Sequence, residues 1–127
     1  DPKNPVGING KGTTIQGHSV DGALPEELRR AGGFVWPPGK TDYYWEAEQG
    51  ITATIAVLEN AGLPAKSWCD QAHLRSIKWV YDVAKWAPSG DDNWQPAVIN
   101  ALYGTSYAVA SGASAGKNLG WAEFTHQ

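Results

Sequence analysis

The feature that most constrains the fold is a helical apolar period in the middle of the chain. Ile51, Ile55 and Leu58 stand at i, i+4 and i+7, with several alanines around them. Gly62 and Pro64 follow directly and are typical of the end of a helix. The pattern therefore predicts an amphipathic helix over residues 44–60.

A second helical period follows after a short link. Ser67 and Asp70 have the spacing of a capping box, and the pattern continues to Trp86, just before Pro88. Its apolar stripe consists of Leu74, Ile77, Val80 and Ala84, with Tyr81 beside it. Because the link between the two helices is so short, we expect them to pack as an antiparallel hairpin.

The stretch GDDNWQPAVIN, residues 90–100, has the features of a helix start. Asp92 as N-cap would place Pro96 in the first turn, where a missing N–H costs little. Gln95 would then return a hydrogen bond to the cap, and the helix would continue to Gly104. The adjacent carboxylates could instead form a catalytic acid pair or, with Trp94, a sugar-binding surface, but the helix start is the favoured interpretation.

The segments on either side have no sustained period. Residues 1–41 are rich in glycine and proline, apart from PEELRR, which predicts a turn or two of helix. Residues 105–127 have the composition of an extended arm, and we expect it to pack through Trp121 and Phe124. At 127 residues the chain is long enough for one domain. We expect a mainly α domain over residues 1–127, in which a helical hairpin and a third helix form a core at residues 42–104.

Composition excludes several classes of partner. With a net charge of −3 and scattered basic residues, the chain is not expected to bind nucleic acid. No apolar run approaches the roughly 20 residues that cross a bilayer, so no membrane partner is expected. The sequence contains no methionine and starts at Asp1 without the regions of a signal peptide, which favours a processed, secreted chain or a fragment.

The single cysteine and the histidines indicate no cofactor. Cys69 has no second cysteine to pair with, and a small buried residue is favoured over a free thiol or a bond to another chain. His18, His73 and His126 lack the spacing of a zinc site. We therefore expect neither a metal nor another cofactor.

Residues 17–45 gather the groups that an acidic polysaccharide would need. In β-elimination on a uronic acid, a cation neutralises the carboxylate, a base removes the C5 proton and an acid protonates the leaving glycosidic oxygen. The segment offers His18, Arg29, Arg30, Lys40, Tyr43 and Tyr44. The same residues also fit a structural role, in which the arginines cap the short helix and Asp42 caps the long one.

Tryptophan content points to carbohydrate as well. Seven tryptophans are present, and Trp36, Trp45 and Trp94 stand at loops or helix starts, where their faces could stack on sugar rings and Gln95 could bond a hydroxyl. We expect the others in the helical region to form ordinary core, namely Trp68, Trp79 and Trp86.

At these residues the chain resembles the alginate lyase superfamily of polysaccharide lyases, which have an (α/α) toroid fold. The likeness lies in DGALPEELRRAGG at residues 21–33 and in YYWEAEQGITATIAVLENAG at residues 43–62. Further likeness lies in GFVWPP, GDDxWQPxxIN with YGT, and GKNxGWxxxTH, at residues 33–38, 90–105 and 116–126. It covers about residues 17–126.

The resemblance implies roles for particular residues. Arg30 would bind or neutralise the uronate and Tyr43 would be the acid and base, with Tyr44 as the alternative. Independently of the resemblance, the residue types themselves make further candidates for substrate binding: Arg29, His18, Trp36, Lys40, Trp45, Trp94 and Gln95. The family's Asn-His pair and lysine have no equivalent here, so the chain resembles the C-terminal portion of a toroid.

Three interpretations follow. The first is a protein similar to uronan lyases, which act by β-elimination. The sequence does not decide whether this chain is itself catalytic. The second is a non-catalytic carbohydrate-binding or interaction protein that uses exposed tryptophans. The third is a structural fragment, which would associate with a missing N-terminal portion or with a second copy to cover its apolar surface.

Overall fold

A computed structural model of the chain describes residues 7–30 and 32–110. The described part is mainly helical, as predicted, with one small hairpin. The arm contact expected at Trp121 and Phe124 lies outside the described residues. The helices and strands, in chain order, are β1 (Thr14–Ile15), β2 (His18–Ser19), α1 (Pro25–Leu28), α2 (Tyr43–Asn60), a 3-10 turn (Ala65–Ser67), α3 (Trp68–Lys78), a π-helical turn (Trp79–Val83), a 3-10 turn (Gly90–Asp92) and α4 (Gln95–Tyr103).

The chain divides into two compact units. Unit 1 comprises Asp1–Tyr44 and Ser67–Ala87, and unit 2 comprises Trp45–Lys66 and Pro88–Gln127. The antiparallel pairing of α2 with α3 stays a prediction, because α3 belongs to unit 1 and most of α2 to unit 2. The single domain over residues 1–127 stays a prediction as well.

Unit 1 has an aromatic core built around Tyr44. The Tyr44 ring stacks on Trp79 at 5.6 Å between centroids and meets Trp86 edge-on at 6.0 Å. Its hydroxyl accepts a hydrogen bond from the backbone N–H of Leu24 at 3.2 Å and lies 3.0 Å from the Ser76 hydroxyl. The core assignment is confirmed for Trp79 and Trp86, which are almost fully buried.

The start of α3 differs from its prediction. Cys69, Asp70 and Gln71 have left-handed backbone angles, with φ between 51° and 56°, and Ser67 forms no capping hydrogen bond through its side chain. The Arg75 guanidinium donates to the carbonyl oxygens of Cys69 and Asp70, which offsets part of the cost of that conformation.

The left-handed segment also changes which of its neighbours reach the core. Cys69 is an exposed free cysteine, so the expected buried cysteine is wrong. Trp68 is 46% exposed, so its assignment to the core is wrong too. Both side chains precede the regular turns of α3, and the apolar face of that helix is formed by later residues such as Ile77.

The end of this helical region is rearranged as well. Instead of running unbroken to Trp86, α3 passes into a π-helical turn, closed by a hydrogen bond from the Ala84 N–H to the Trp79 carbonyl oxygen. Lys85 then takes a φ of 60°, and the N–H of Trp86 bonds back to the Val80 carbonyl oxygen. These changes accompany the burial of Trp79, Val80 and Trp86 in unit 1.

Unit 2 combines most of α2 with α4. Trp94, Ala97 and Val98 pack against Ala56 in a small apolar core. Helix α4 begins at Gln95, so the expected N-cap at Asp92 is wrong, and Asp92 instead ends a 3-10 turn. The expected end is confirmed, because Gly104 closes α4 in the left-handed conformation.

The amphipathic helix over residues 44–60 is confirmed, but its most buried face includes polar residues. Ile51, Ile55 and Leu58 are half-buried. Deeper burial is found at Glu48, Gln49, Thr52 and Ala56. The apolar stripe therefore predicted the helix correctly but did not predict which face is buried most.

A Gly22→Ala substitution is expected to destabilise unit 1 severely. At Gly22 the φ is +84°, and a Cβ there would lie 2.3 Å from the Arg75 carbonyl oxygen. We expect a loss of at least about 3 kcal/mol in the free energy of unfolding. Gly17→Ala is the matched control, since its φ of +81° is similar but a Cβ meets nothing within 4 Å, and only about 1 kcal/mol should be lost. Urea denaturation followed by tryptophan fluorescence measures both, and equal losses would contradict the close contact.

Burial of His73 is expected to make stability depend on pH. Loss of solvation lowers the pKa of His73 from 6.5 to about 4. The unfolded chain binds the proton more readily than the folded chain does, so the contribution of neutral, buried His73 to the free energy of unfolding is complete above about pH 6.5. That contribution declines as pH falls toward 4, by about 3 kcal/mol in total. His73→Gln should show a shallower decline over that window in urea titrations at several pH values. Parallel curves for the two proteins would contradict the assignment.

Candidate functional site

The first feature of the candidate site is the pairing of Arg30 with Tyr43 in unit 1. The guanidinium carbon of Arg30 lies 4.2 Å from the centroid of the Tyr43 ring, a cation–π contact. Tyr43 is the first residue of α2 and is 57% exposed, so a large substrate in solvent can reach it. The structure thus brings the two principal candidates from the sequence together.

Arg30 is fixed in place by Glu27 of α1. Its Nε donates to Glu27 Oε2 at 2.7 Å and its Nη2 to Glu27 Oε1 at 2.6 Å. These hydrogen bonds are the main cause of a raised pKa for Arg30, whose charge is therefore permanent. The Thr41 hydroxyl adds a longer contact of 3.4 Å to Glu27. Sequence analysis missed Glu27, although its i,i+3 spacing from Arg30 is a local signal for an ion pair.

Arg29 and Glu26 repeat the same spacing on the outside of the molecule. The Arg29 guanidinium bonds the Glu26 carboxylate, and both side chains are more than half exposed. The hydrogen bond from Arg29 lowers the pKa of Glu26. The two neighbouring ion pairs therefore differ mainly in burial. The Glu26–Arg29 pair is exposed, whereas the Glu27 side chain of the other pair is only 4% exposed.

Tyr44 occupies a different environment from Tyr43. It is fully buried, and its hydroxyl is held by the Leu24 N–H and the Ser76 hydroxyl. A polymer in solvent has no access to that oxygen. Of the two tyrosines, Tyr43 is the one placed to meet a substrate.

The aromatic candidates divide between the two units. In unit 1 the His18 ring stacks on Trp36 at 4.3 Å with planes 8° apart, and Phe34 lies 6.2 Å from Trp36. Lys40 is exposed in the same unit. In unit 2 Trp45 and Trp94 are 3% and 0% exposed, so neither offers the free ring face expected of a sugar platform. Trp94 belongs to the small apolar core of unit 2 instead.

Gln95 is buried and fully engaged in unit 2. Its Nε2 donates to the Trp45 carbonyl oxygen and to Asp92 Oδ1, each at 3.0 Å, and its Oε1 lies 3.3 Å from the Thr52 hydroxyl. The bond to Asp92 pairs the two residues that the sequence had placed in a capping arrangement. The expectation that Trp94 and its neighbouring amides face the same cleft as Arg30 stays a prediction, because Arg30 belongs to unit 1.

A surface cavity of about 210 Å³ lies within unit 1. Trp79 forms part of its wall and donates its indole N–H to the Ser19 carbonyl oxygen at 3.2 Å. Arg75 reaches Asp21 Oδ1 at 3.0 Å beside it. Its lining consists of Ser19, Asp21, Arg75, Lys78, Trp79, Asp82 and Val83. Sequence analysis missed this cavity, since β2 and α3 are far apart in the chain.

Three carboxylates of unit 2 lie close enough together to hold a metal ion. Glu46, Asp91 and Asp92 each offer an oxygen, and these oxygens lie within 4.8 Å of one another. We call these residues the acidic cluster. Sequence analysis treated the two aspartates as a helix start and gave no signal for Glu46, because the cluster joins α2 to the turn before α4.

Comparison with protein-family models, with curated proteins and with solved structures found no match to this chain. Within the described part of the chain, no helix combines the length and the apolar character needed to cross a membrane.

Glu27→Gln is expected to destabilise the protein more than Glu26→Gln does. Removing the buried charge leaves Arg30 without its carboxylate partner, and we expect a loss of about 1–3 kcal/mol in the free energy of unfolding. The matched control Glu26→Gln breaks an exposed pair and should change it by no more than about 0.5 kcal/mol. Urea denaturation of both variants provides the comparison. Equal effects would show that burial of Glu27 does not strengthen its pair with Arg30.

Proposed function

We propose that unit 1 carries a site for an acidic polysaccharide, on which the protein acts as a lyase by β-elimination. The observation that carries the proposal is the Arg30 guanidinium, held by Glu27 and placed 4.2 Å from the ring of the exposed Tyr43. The resemblance to the alginate lyase superfamily supports the same residues. The proposal includes that the protein is secreted and that its substrate is a uronan.

Arg30 would bind the carboxylate of the uronic acid. Glu27 uses the Nε and Nη2 of the guanidinium, and the Arg30 side chain is 44% exposed. The Nη1 nitrogen then faces the substrate, where it donates to the uronate and reduces the negative charge beside C5. With that charge reduced, the C5 proton becomes easier to remove.

Tyr43 would transfer the protons. Starting as the phenolate, its oxygen takes the C5 proton, a double bond forms between C4 and C5, and the bond from C4 to the glycosidic oxygen breaks. The same hydroxyl then returns a proton to that oxygen, which leaves as the alcohol of the shortened chain. The positive charge of Arg30 beside the ring stabilises the negative charge on the phenolic oxygen during this exchange.

Carbohydrate binding without catalysis is the second candidate. The stack of His18 on Trp36 is an ordered aromatic surface that is only partly buried, and aromatic faces pack well against sugar rings. This alternative needs no proton transfer, so Tyr43 would contribute only contact area.

Tyr43→Phe is expected to abolish lyase activity. The purified chain is incubated with alginate, glucuronan and pectate, and the ultraviolet absorbance of the unsaturated product is followed. Because the variant lacks the proton-transferring oxygen, we expect the rate to fall by at least about 100-fold. Tyr107→Phe is the matched control, since Tyr107 belongs to unit 2, and it should retain the wild-type rate within about twofold.

The same samples distinguish the two candidates. If the wild-type chain forms no double bond with any polymer but its tryptophan fluorescence shifts on titration, the protein is a binding module and the lyase proposal fails. If it forms product and Tyr43→Phe forms product equally fast, the acid and base lie elsewhere. A chain that neither reacts nor binds contradicts both candidates.

A further inference from the structure

The surface cavity of unit 1 has walls that the fold holds in place. On one side Arg75 donates to Asp21 Oδ1 at 3.0 Å and to the Asn9 carbonyl oxygen at 3.3 Å. The other carboxylate oxygen of Asp21 accepts a hydrogen bond from the Gly12 N–H at 2.9 Å. On another side Trp79 is 2% exposed and fixed by its aromatic stacking. Arg75 and Asp21 therefore neutralise each other as part of a preformed wall.

Two further charged side chains line this cavity, namely Lys78 and Asp82. Both are exposed, and within residues 7–30 and 32–110 neither forms an ion pair. Their i,i+4 spacing is one at which a lysine and an aspartate on a helix often pair with each other. Because they do not pair here, the cavity offers one positive and one negative group to a ligand.

The π-helical turn at Trp79–Val83 is a second observation at the same place. Such turns are rare, and those inserted in α-helices are frequent at functional sites. Here the turn supplies three of the residues that line the cavity, Trp79, Asp82 and Val83. It buries Trp79 but leaves the other two exposed. The irregular turn thus helps to set which side chains face a ligand.

We infer that this cavity binds a free α-amino acid, whose carboxylate contacts Lys78 and whose ammonium group contacts Asp82. The two opposite charges of such a zwitterion match the two opposite charges that the cavity offers. The cavity volume of about 210 Å³ lies below the roughly 300–1,000 Å³ of most ligand pockets, which suits a ligand this small. Val83, which is 39% exposed, provides an apolar contact for an aliphatic side chain.

Charge favours a zwitterion over other small molecules. An anion that binds Lys78 is repelled by the carboxylate of Asp82, and a cation that binds Asp82 is repelled by Lys78. A neutral sugar gains from neither charge. The Trp79 ring, moreover, is too deeply buried to offer the free face on which a sugar ring would stack.

Titration of the full chain with L-leucine tests this inference directly. The amide signals of the isotope-labelled protein are followed by NMR, and we expect saturable shifts at the residues that line the cavity. The dissociation constant should be at most about 3 mM, which is typical of so small a ligand. L-leucinamide lacks the carboxylate and 4-methylpentanoate lacks the ammonium group. Because each loses one charged contact, each should bind at least about tenfold more weakly than L-leucine.

Variants assign each charge of the ligand to its partner. Lys78→Gln should weaken L-leucine binding by at least about fivefold and remove the preference for L-leucine over L-leucinamide. Asp82→Asn should weaken it similarly and remove the preference over 4-methylpentanoate. Lys11→Gln and Asp70→Asn are the matched controls, since each changes an exposed charge of unit 1 outside the cavity lining. Both should keep the wild-type affinity within about twofold. The NMR spectrum of each variant also shows whether it is folded.

Several results would overturn the inference. Absence of saturable shifts up to about 30 mM L-leucine would exclude the site. If L-leucinamide or 4-methylpentanoate binds as tightly as L-leucine, the cavity does not select a zwitterion, and this result needs no variant. If Lys78→Gln and Asp82→Asn both keep the wild-type affinity, the amino acid binds elsewhere. None of these measurements uses a polysaccharide, so the inference stands or fails separately from the proposed function.

Discussion

Burial of Tyr44 is the constraint on which the candidate site depends. Its ring is packed by Trp79 and Trp86 and its hydroxyl is held by Leu24 and Ser76, so both the start of α2 and the rotation of its first turn are fixed. Successive residues of a helix are about 100° apart around its axis. With Tyr44 in the core, Tyr43 lies on a different side of the helix, where it is exposed and meets Arg30. The position of Tyr43 is therefore set by the packing of its neighbour.

A second constraint fixes the position of Arg30, which contacts the Tyr43 ring. A carboxylate buried as deeply as that of Glu27 needs a charged partner, and Arg30 provides it through two hydrogen bonds. Helix α1 is a single turn and would not persist by itself, so burial of Leu24 and Leu28 is needed to hold it. Arg30 is thus preorganised by an interaction that the fold requires in any case. A cation held in this way loses little side-chain entropy when it binds a second anion.

Local signals predicted much of the fold, and long-range bonds explain the errors. The ends of α2 and α4 follow from Gly62 and Gly104, and the first four residues of PEELRR form α1, because each signal acts within one turn. The start of α3 was wrong because Arg75 bonds the carbonyl oxygens of Cys69 and Asp70, which no local pattern shows. In the site, Arg30 and Tyr43 could be chosen from the sequence. Glu46 could not, because its place in the acidic cluster depends on a turn far along the chain.

Polar contacts in unit 2 explain why the apolar stripe was a poor guide to burial there. Hydrophobic contact is non-directional, and a helix such as α4 could slide along α2 and still bury Ala97 and Val98. The Gln95 amide allows no such freedom, since Trp45, Asp92 and Thr52 must all be within reach at once. That register places Asp91 and Asp92 beside Glu46. The acidic cluster is therefore a consequence of the hydrogen bonds that align α4.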